Sequence, residues 1–118
     1  MRYFEGNDVI AVNIQFKKGV LEICVLALVN RQDRYGYELV KAISEQIEIS
    51  EGSVYPLLRR LTKEGYFTTY LQESTEGPSR KYYRLTTSGE EYLHRLVEEW
   101  KTFSLSVNQI IEEGVDHE

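Results

Sequence analysis

Ser50-Glu51-Gly52-Ser53-Val54-Tyr55-Pro56-Leu57-Leu58-Arg59-Arg60-Leu61-Thr62-Lys63-Glu64-Gly65 has the spacing of a short amphipathic helix. Val54, Leu57, Leu58 and Leu61 stand at i, i+3, i+4 and i+7, which forms one apolar stripe. Ser50 or Ser53 can cap its start, because a short side-chain oxygen accepts from a free N–H of the first turn. Pro56 is tolerated if it falls near that turn, and Gly65 stands where a left-handed residue ends a helix. The opposite face presents Ser53, Tyr55, Pro56, Arg59, Arg60, Thr62 and Lys63. That face is cationic and polar.

C-terminal to this helix the period changes to two. Phe67, Thr69 and Leu71 alternate with Thr68, Tyr70 and Gln72, and the β-branched and aromatic content suits a strand. A second extended run over residues 81–86 follows the turn-rich Thr75-Glu76-Gly77-Pro78-Ser79. The expectation is a β-hairpin whose polar tip carries Arg80 and Lys81. Thr87 and Glu90 have capping-box spacing and open a last helix to about residue 113. N-terminal to the reading stretch, residues 14–30 form a helix apolar nearly all round, so it must be covered on several sides. Tyr35-Gly36-Tyr37 then starts a second helix to about residue 46, with Leu39, Val40 and Ile43 on one stripe. Residues 1–13 show no clear period and read as an arm or lead-in. The division is therefore 1–13 arm, 14–86 helical domain with hairpin, and 87–118 C-terminal helix. The fold class is mainly α with a small β-hairpin.

Composition narrows the function. The 118 residues are 42% hydrophobic and 28% charged, with eight Gly and two Pro, as in a globular domain rather than a linker-rich chain. The longest strongly apolar run, residues 23–29, is far below the ~18 residues of a membrane span, and no signal peptide is evident. Cys24 stands alone, which excludes an internal disulfide and suits a reducing cytoplasm. No Ser/His/Asp set, phosphate loop or paired-carboxylate motif is present, so no enzyme and no cofactor is expected. A metal-sensing alternative would use His94, His117 and Asp116. The two histidines are 23 residues apart with no companion at i+3 or i+4, so no metal site is assigned.

Net charge is −5, but it is unevenly distributed: residues 1–89 carry 12 basic and 11 acidic side chains, and residues 90–118 carry two and eight. An acidic C-terminal segment beside a weakly basic middle is consistent with a nucleic-acid partner on one side only. The C-terminal helix carries a heptad-like seam, with Leu93, Trp100 and Val107 at one position and Leu96, Phe103 and Ile110 three residues on. Val97 and Ile111 widen it. A second copy of the chain would cover this stripe, which predicts a homodimer.

Three helices, the third with a cationic outer face, followed by a hairpin with cations is the order of a winged helix-turn-helix. The third helix can enter a major groove while the wing neutralises flanking phosphates, and a dimer reads a palindrome in double-stranded DNA. The alternative is a winged-helix module that binds protein through its acidic helix and seam.

The resemblance then becomes specific. Gly19-Val20-Leu21-Glu22, Tyr35-Gly36-Tyr37-Glu38-Leu39, the stretch from Ser50 to Leu61, and Arg80-Lys81-Tyr82-Tyr83-Arg84-Leu85-Thr86 resemble the PadR family of bacterial transcriptional regulators. The resemblance spans residues 17–113 in order and spacing. It implies a short regulator with one C-terminal dimerisation helix, usually a repressor, and places Tyr55, Arg59 and residues 77–81 of the wing at DNA. Pro78-Ser79 departs from it where a further basic residue is common.

The expected DNA-facing set is Tyr37, Ser53, Tyr55, Pro56, Arg59, Arg60, Lys63, Gly77, Arg80, Lys81 and Tyr82. Tyr37 has two readings, a phosphate contact or simple packing. Tyr82 and Tyr83 point to opposite faces, so one is core and the other a backbone-contact candidate. Cys24 reads as a small buried hydrophobe. Trp100, with Phe103 near it, is either dimer core or the border of a cavity for a small aromatic effector.

Overall fold

The computed structural model describes residues 6–116, with side chains placed from Gly19 to Val115 apart from Glu51. Residues 1–5 of the expected arm and His117 lie outside the described residues. The order is α1 (Gly6–Arg31), β1 (Arg34–Tyr35), α2 (Gly36–Ser44), α3 (Glu51–Lys63), β2 (Phe67–Ser74), β3 (Gly77–Leu85) and α4 (Thr87–Asp116). The strands form one antiparallel sheet in the order β1-β3-β2.

The apolar circumference of α1 has the expected consequence. Leu21, Val25, Leu26 and Val29 are buried, and α1 packs against α2, α3, α4 and β3. Around it, Leu39, Val40 and Ile43 of α2 and Val54, Leu58 and Leu61 of α3 complete the core with Phe67, Tyr83 and Leu93. The α1 helix begins at Gly6, eight residues before the expected start and inside the segment read as a lead-in.

Ser50 is the N-cap of α3 in extended geometry, but the expected side-chain cap is not formed. Ser53 N–H donates to the Ser50 backbone C=O at 3.1 Å, and the Ser50 hydroxyl lies 3.2 Å from that of Ser53. Pro56 falls at the sixth helical position, in the second turn rather than the first. It is exposed, and the Gly52 carbonyl loses its i+4 donor at the helix surface. The C-terminus closes as a Schellman motif: Tyr66 N–H donates to Leu61 C=O (3.0 Å) and Gly65 N–H to Thr62 C=O (3.1 Å), with Gly65 at φ 88°. This turn redirects the chain from α3 into β2.

Two local expectations are corrected. The hairpin turn is only Thr75–Glu76, because Ser74 pairs with Gly77 beyond a bulge after Gln72. Gly77, Pro78 and Ser79 therefore belong to β3, and Pro78 lies where only β2 flanks that strand, so its missing N–H costs no pairing. The tip is polar but acidic, with Glu76 in the turn and Glu73 at the bulge. Arg80 and Lys81 sit farther back, opposite Gln72 and Leu71. The cap of α4 is Thr86, one residue earlier than expected: its Oγ1 accepts from Gly89 N–H at 3.0 Å and donates to Gly65 C=O at 2.7 Å. Gly89 is buried against the Tyr66 carbonyl and the Leu85 side chain, where any Cβ would collide with backbone. That close approach seats α4 on the junction of α3 and β2.

Candidate nucleic-acid interface

The start of α2, the middle of α3 and the body of the wing enclose an open groove. It is lined by Tyr35, Gly36, Tyr37, Tyr55, Arg59, Arg80, Lys81 and Tyr83. Gly36 makes this juxtaposition possible. It is buried, and a Cβ there would stand 2.6 Å from Cε1 of Tyr55, so only glycine lets the ring lie across the first turn of α2. Glu38 anchors that turn by accepting from Tyr35 N–H at 3.2 Å.

Three cations converge on the groove, and none of its eight lining residues is acidic. Arg59 projects from α3. Arg80 stacks its guanidinium 4.7 Å from the Tyr35 ring centroid, and Lys81 holds its ammonium 5.9 Å from that of Tyr83. Burial pushes the Tyr83 phenol up in pKa, Tyr55 adds to the shift and Arg59 opposes it, so the hydroxyl remains a donor at neutral pH. Tyr37 is 55% exposed and stands in the groove rather than in the core. Fixed cations with phenolic donors on one concave face suit a polyanion.

Of the residues expected to face DNA, Tyr37, Tyr55, Arg59, Arg80 and Lys81 are brought together here. Ser53 and Pro56 are exposed on α3, Lys63 is exposed in its last turn, and Gly77 flanks the hairpin turn; none lines the groove. Of the two adjacent tyrosines, Tyr83 is the buried one. Tyr82 lies on the outer face of the sheet, stacked on Tyr70 at 5.5 Å and tilted against Tyr35 at 5.5 Å. Arg84 covers Tyr70 at 5.0 Å and pairs with Asp33, which also accepts from Tyr70 O–H at 2.7 Å. This ladder stiffens the wing. Arg60 departs most from expectation: it is held by Glu22 and Glu64, away from the groove. Tyr35, Gly36 and Tyr83 line the groove without having been expected there. The β1 strand is too short for any periodicity to show at Tyr35, Gly36 carries no side chain to mark it, and Tyr82 rather than its neighbour Tyr83 was expected to face DNA.

The α4 seam divides in two. Leu93 is core within the single chain, and Leu96 and Val97 pack against that core, because the first turns of α4 lie on α1. Expecting Leu93 to face a partner is thus corrected. Farther along, Trp100, Phe103, Ile110 and Ile111 are exposed, and Val107 is half-buried. Leu105 and Val115 are exposed as well. Cys24 is half-buried, and burial pushes its thiol pKa up, as for an inert packing residue. Among the described residues no cluster of His, Cys, Asp and Glu could hold a metal, and no helix is long and apolar enough to cross a membrane.

The transcriptional regulator PadR-like family profile matches residues 25–95, more than half of the chain. The chain belongs to the PadR-like family of transcriptional regulators. A PadR-like transcriptional regulator from Bacillus cereus is 40% identical and superposes with a TM-score of 0.76, over 83% of this chain and 97% of that one. A PadR family regulator from Eggerthella lenta is 30% identical with a TM-score of 0.77, over 88% and 92%. The negative transcriptional regulator PadR of Bacillus subtilis is 29% identical over 79 residues, 64% of this chain but only 43% of that protein. These PadR-like relatives are regulators rather than enzymes, and the winged-helix architecture is theirs, including the long C-terminal helix. Membership assigns this chain to DNA-binding regulation of transcription.

Proposed function

We propose that the protein is a homodimeric repressor that places two α3–wing units on a palindromic operator in double-stranded DNA. The observation that carries this reading is the acid-free groove in which Arg59 of α3 meets Arg80 and Lys81 of the wing beside Tyr37 and Tyr55. Arg59 is the base reader, the wing cations and tyrosines hold backbone phosphates, and Ser53, Pro56 and Lys63 border the same helix face. Gly77 and Tyr82 contribute through the shape of the wing. The acidic tip at Glu73 and Glu76 favours contact through the strand body instead of the turn. Trp100, Phe103, Val107, Ile110 and Ile111 form the subunit seam, which Leu96 and Val97 continue toward the core. That this occurs in the cytoplasm follows from the proposed role at the promoter.

Anisotropy titrations on the DNA upstream of the protein's own gene, across a salt series, test the proposal. Arg59→Ala is expected to weaken operator binding by about 1–3 kcal/mol, the range for a lost bidentate base contact. Lys81→Ala is expected to weaken binding to all sequences alike and make the salt slope shallower by about one. Wild-type affinity and slope in both variants, with unchanged circular dichroism, would remove the groove from the interface.

A small aromatic effector is proposed at the seam, where the Trp100 and Phe103 rings lie 6.4 Å apart and both are exposed within one chain. Binding that favours one arrangement of the subunits would change the angle between the two α3 helices. Flat aromatic compounds should then quench tryptophan emission saturably and release DNA in parallel. A panel that does neither makes Trp100 packing alone.

A further inference from the structure

Arg60 neighbours the base-reading Arg59, yet its guanidinium is committed elsewhere. Its Nη2 lies 3.0 Å from Glu22 Oε1 and its Nη1 2.6 Å from Glu64 Oε1. Glu22, on α1, is only 15% exposed at its side chain. The same Oε1 accepts a 2.6 Å hydrogen bond from the hydroxyl of Tyr92 on α4. One carboxylate oxygen therefore joins three helices. A carboxylate this far from water is retained only where donors satisfy it, and here they come from two different helices.

Tyr92 also touches α3 by a second route. Its ring stacks on Tyr66 with centroids 4.2 Å apart and planes 8° from parallel. Tyr66 is the residue whose N–H closes the C-terminus of α3 on Leu61. The Arg95 guanidinium lies 5.4 Å from the Tyr92 ring centroid. Burial, reinforced by Glu22, pushes the Tyr92 phenol up to about 12, so it remains a donor at every physiological pH. Tyr92 thus holds α3 at its cap through Tyr66 and along its side through Glu22 and Arg60. Trp100 and the exposed seam follow about two turns later on the same helix.

We infer that Glu22 and Tyr92 are positioning residues for operator recognition, because the carboxylate shared by Tyr92 and Arg60 sets the reading helix against the subunit-pairing helix. The inference rests on the proposed reading of DNA by a dimer. It assigns Arg60 to orientation rather than to DNA. It also gives the distance between the two α3 helices, and hence the half-site spacing, a physical basis. Rotation of α4 against the domain must carry α3 with it or break these contacts.

The test uses full-length protein and duplexes selected by the wild-type chain from a random library. Each selected duplex is also made with one base pair added or removed between half-sites. Tyr92→Phe keeps the ring stack and removes only the hydroxyl; Glu22→Gln keeps the shape and removes the charge. Each is expected to weaken binding to the selected duplex roughly three- to tenfold. Affinity for random duplex should not change, and the penalty for altered spacing should fall. The double variant should lose no more than the worse single variant, as for residues acting through one contact. Arg60→Ala should leave the salt slope unchanged. A wild-type ratio of specific to random binding in Tyr92→Phe, with an unchanged spacing profile, would overturn the inference. So would a salt slope lowered by about one in Arg60→Ala, because Arg60 would then be a phosphate contact. A wild-type chain that selects no sequence would overturn the DNA reading itself, and the positioning role with it.

Discussion

Replacing Phe103 and Ile110 together with glutamate is expected to yield a folded monomer that no longer binds its operator tightly. Phe103 is 60% exposed and Ile110 68% exposed within one chain, seven residues apart on α4. In the monomer the new carboxylates face water, so circular dichroism and the intrachain core should be unaffected. In the proposed dimer the two subunits would bring four carboxylates into one apolar seam, where an unpaired charge costs several kcal/mol. Dissociation leaves each chain with one half-site. Losing the second, tethered half-site should lower operator affinity by at least about a thousandfold, since specific affinities of ~10⁻⁸ M or tighter need both halves. Analytical ultracentrifugation gives the assembly and anisotropy the affinity. A variant that sediments as a dimer removes this face of α4 from the interface.

The second large effect is on stability. Phe67→Ala is expected to lower unfolding free energy by about 3–5 kcal/mol, the usual cost of deleting a buried aromatic ring. Phe67 is the largest fully buried side chain among the described residues, and it meets Tyr83 edge-on at 5.8 Å and 61°. It sits at the first residue of β2, directly after the Schellman turn of α3. The cavity would therefore loosen the hairpin against the helix, and operator binding should fall along with stability. A loss of this size is a large share of the ~5–15 kcal/mol of an ordinary domain. Urea melts at matched protein concentration read it directly, because dimerisation shifts the midpoint by mass action. A change below about 1 kcal/mol would mean that the wing is held mainly by its outer ladder of Tyr35, Tyr70, Tyr82 and Arg84.

The local pattern carried much of this architecture. The stripe of Val54, Leu57, Leu58 and Leu61 became the inner face of α3, with Leu57 half-buried and the other three buried, because helical periodicity holds whatever the neighbours are. Gly65 ended that helix because a residue without Cβ adopts positive φ at little cost. Of the alternating set Phe67, Thr69 and Leu71, Phe67 alone entered the core while Thr69 and Leu71 stay exposed, and the period of two separated Tyr82 from Tyr83. The apolar run of α1 packs against α2, α3, α4 and β3, with Leu21, Val25, Leu26 and Val29 buried and Ile23, Cys24, Ala27 and Leu28 half-buried. The candidate site was legible in its residue types: Tyr37, Tyr55, Arg59, Arg80 and Lys81 do meet in one groove.

What local pattern could not carry depends on groups far apart in the chain. Arg60 reads as an outward cation beside Arg59. It turns to α1 because Glu22, 38 residues earlier, is largely enclosed there and needs a donor. Leu93 reads as the first residue of a continuous seam. It belongs to the core because α4 leaves the domain surface only after its first turns, a point set by packing on α1. The two residues of β1 acquire their strand character solely from pairing with Tyr82 and Tyr83. The hairpin turn moved to Thr75–Glu76 because the bulge at Glu73 let Gly77 pair with Ser74, a choice of register that turn propensity alone does not make. Periodicity, caps and breakers act over a few residues and are written in the sequence. Which cation faces a groove and which joins two helices follows from where partners stand in space, and only the packed chain decides that.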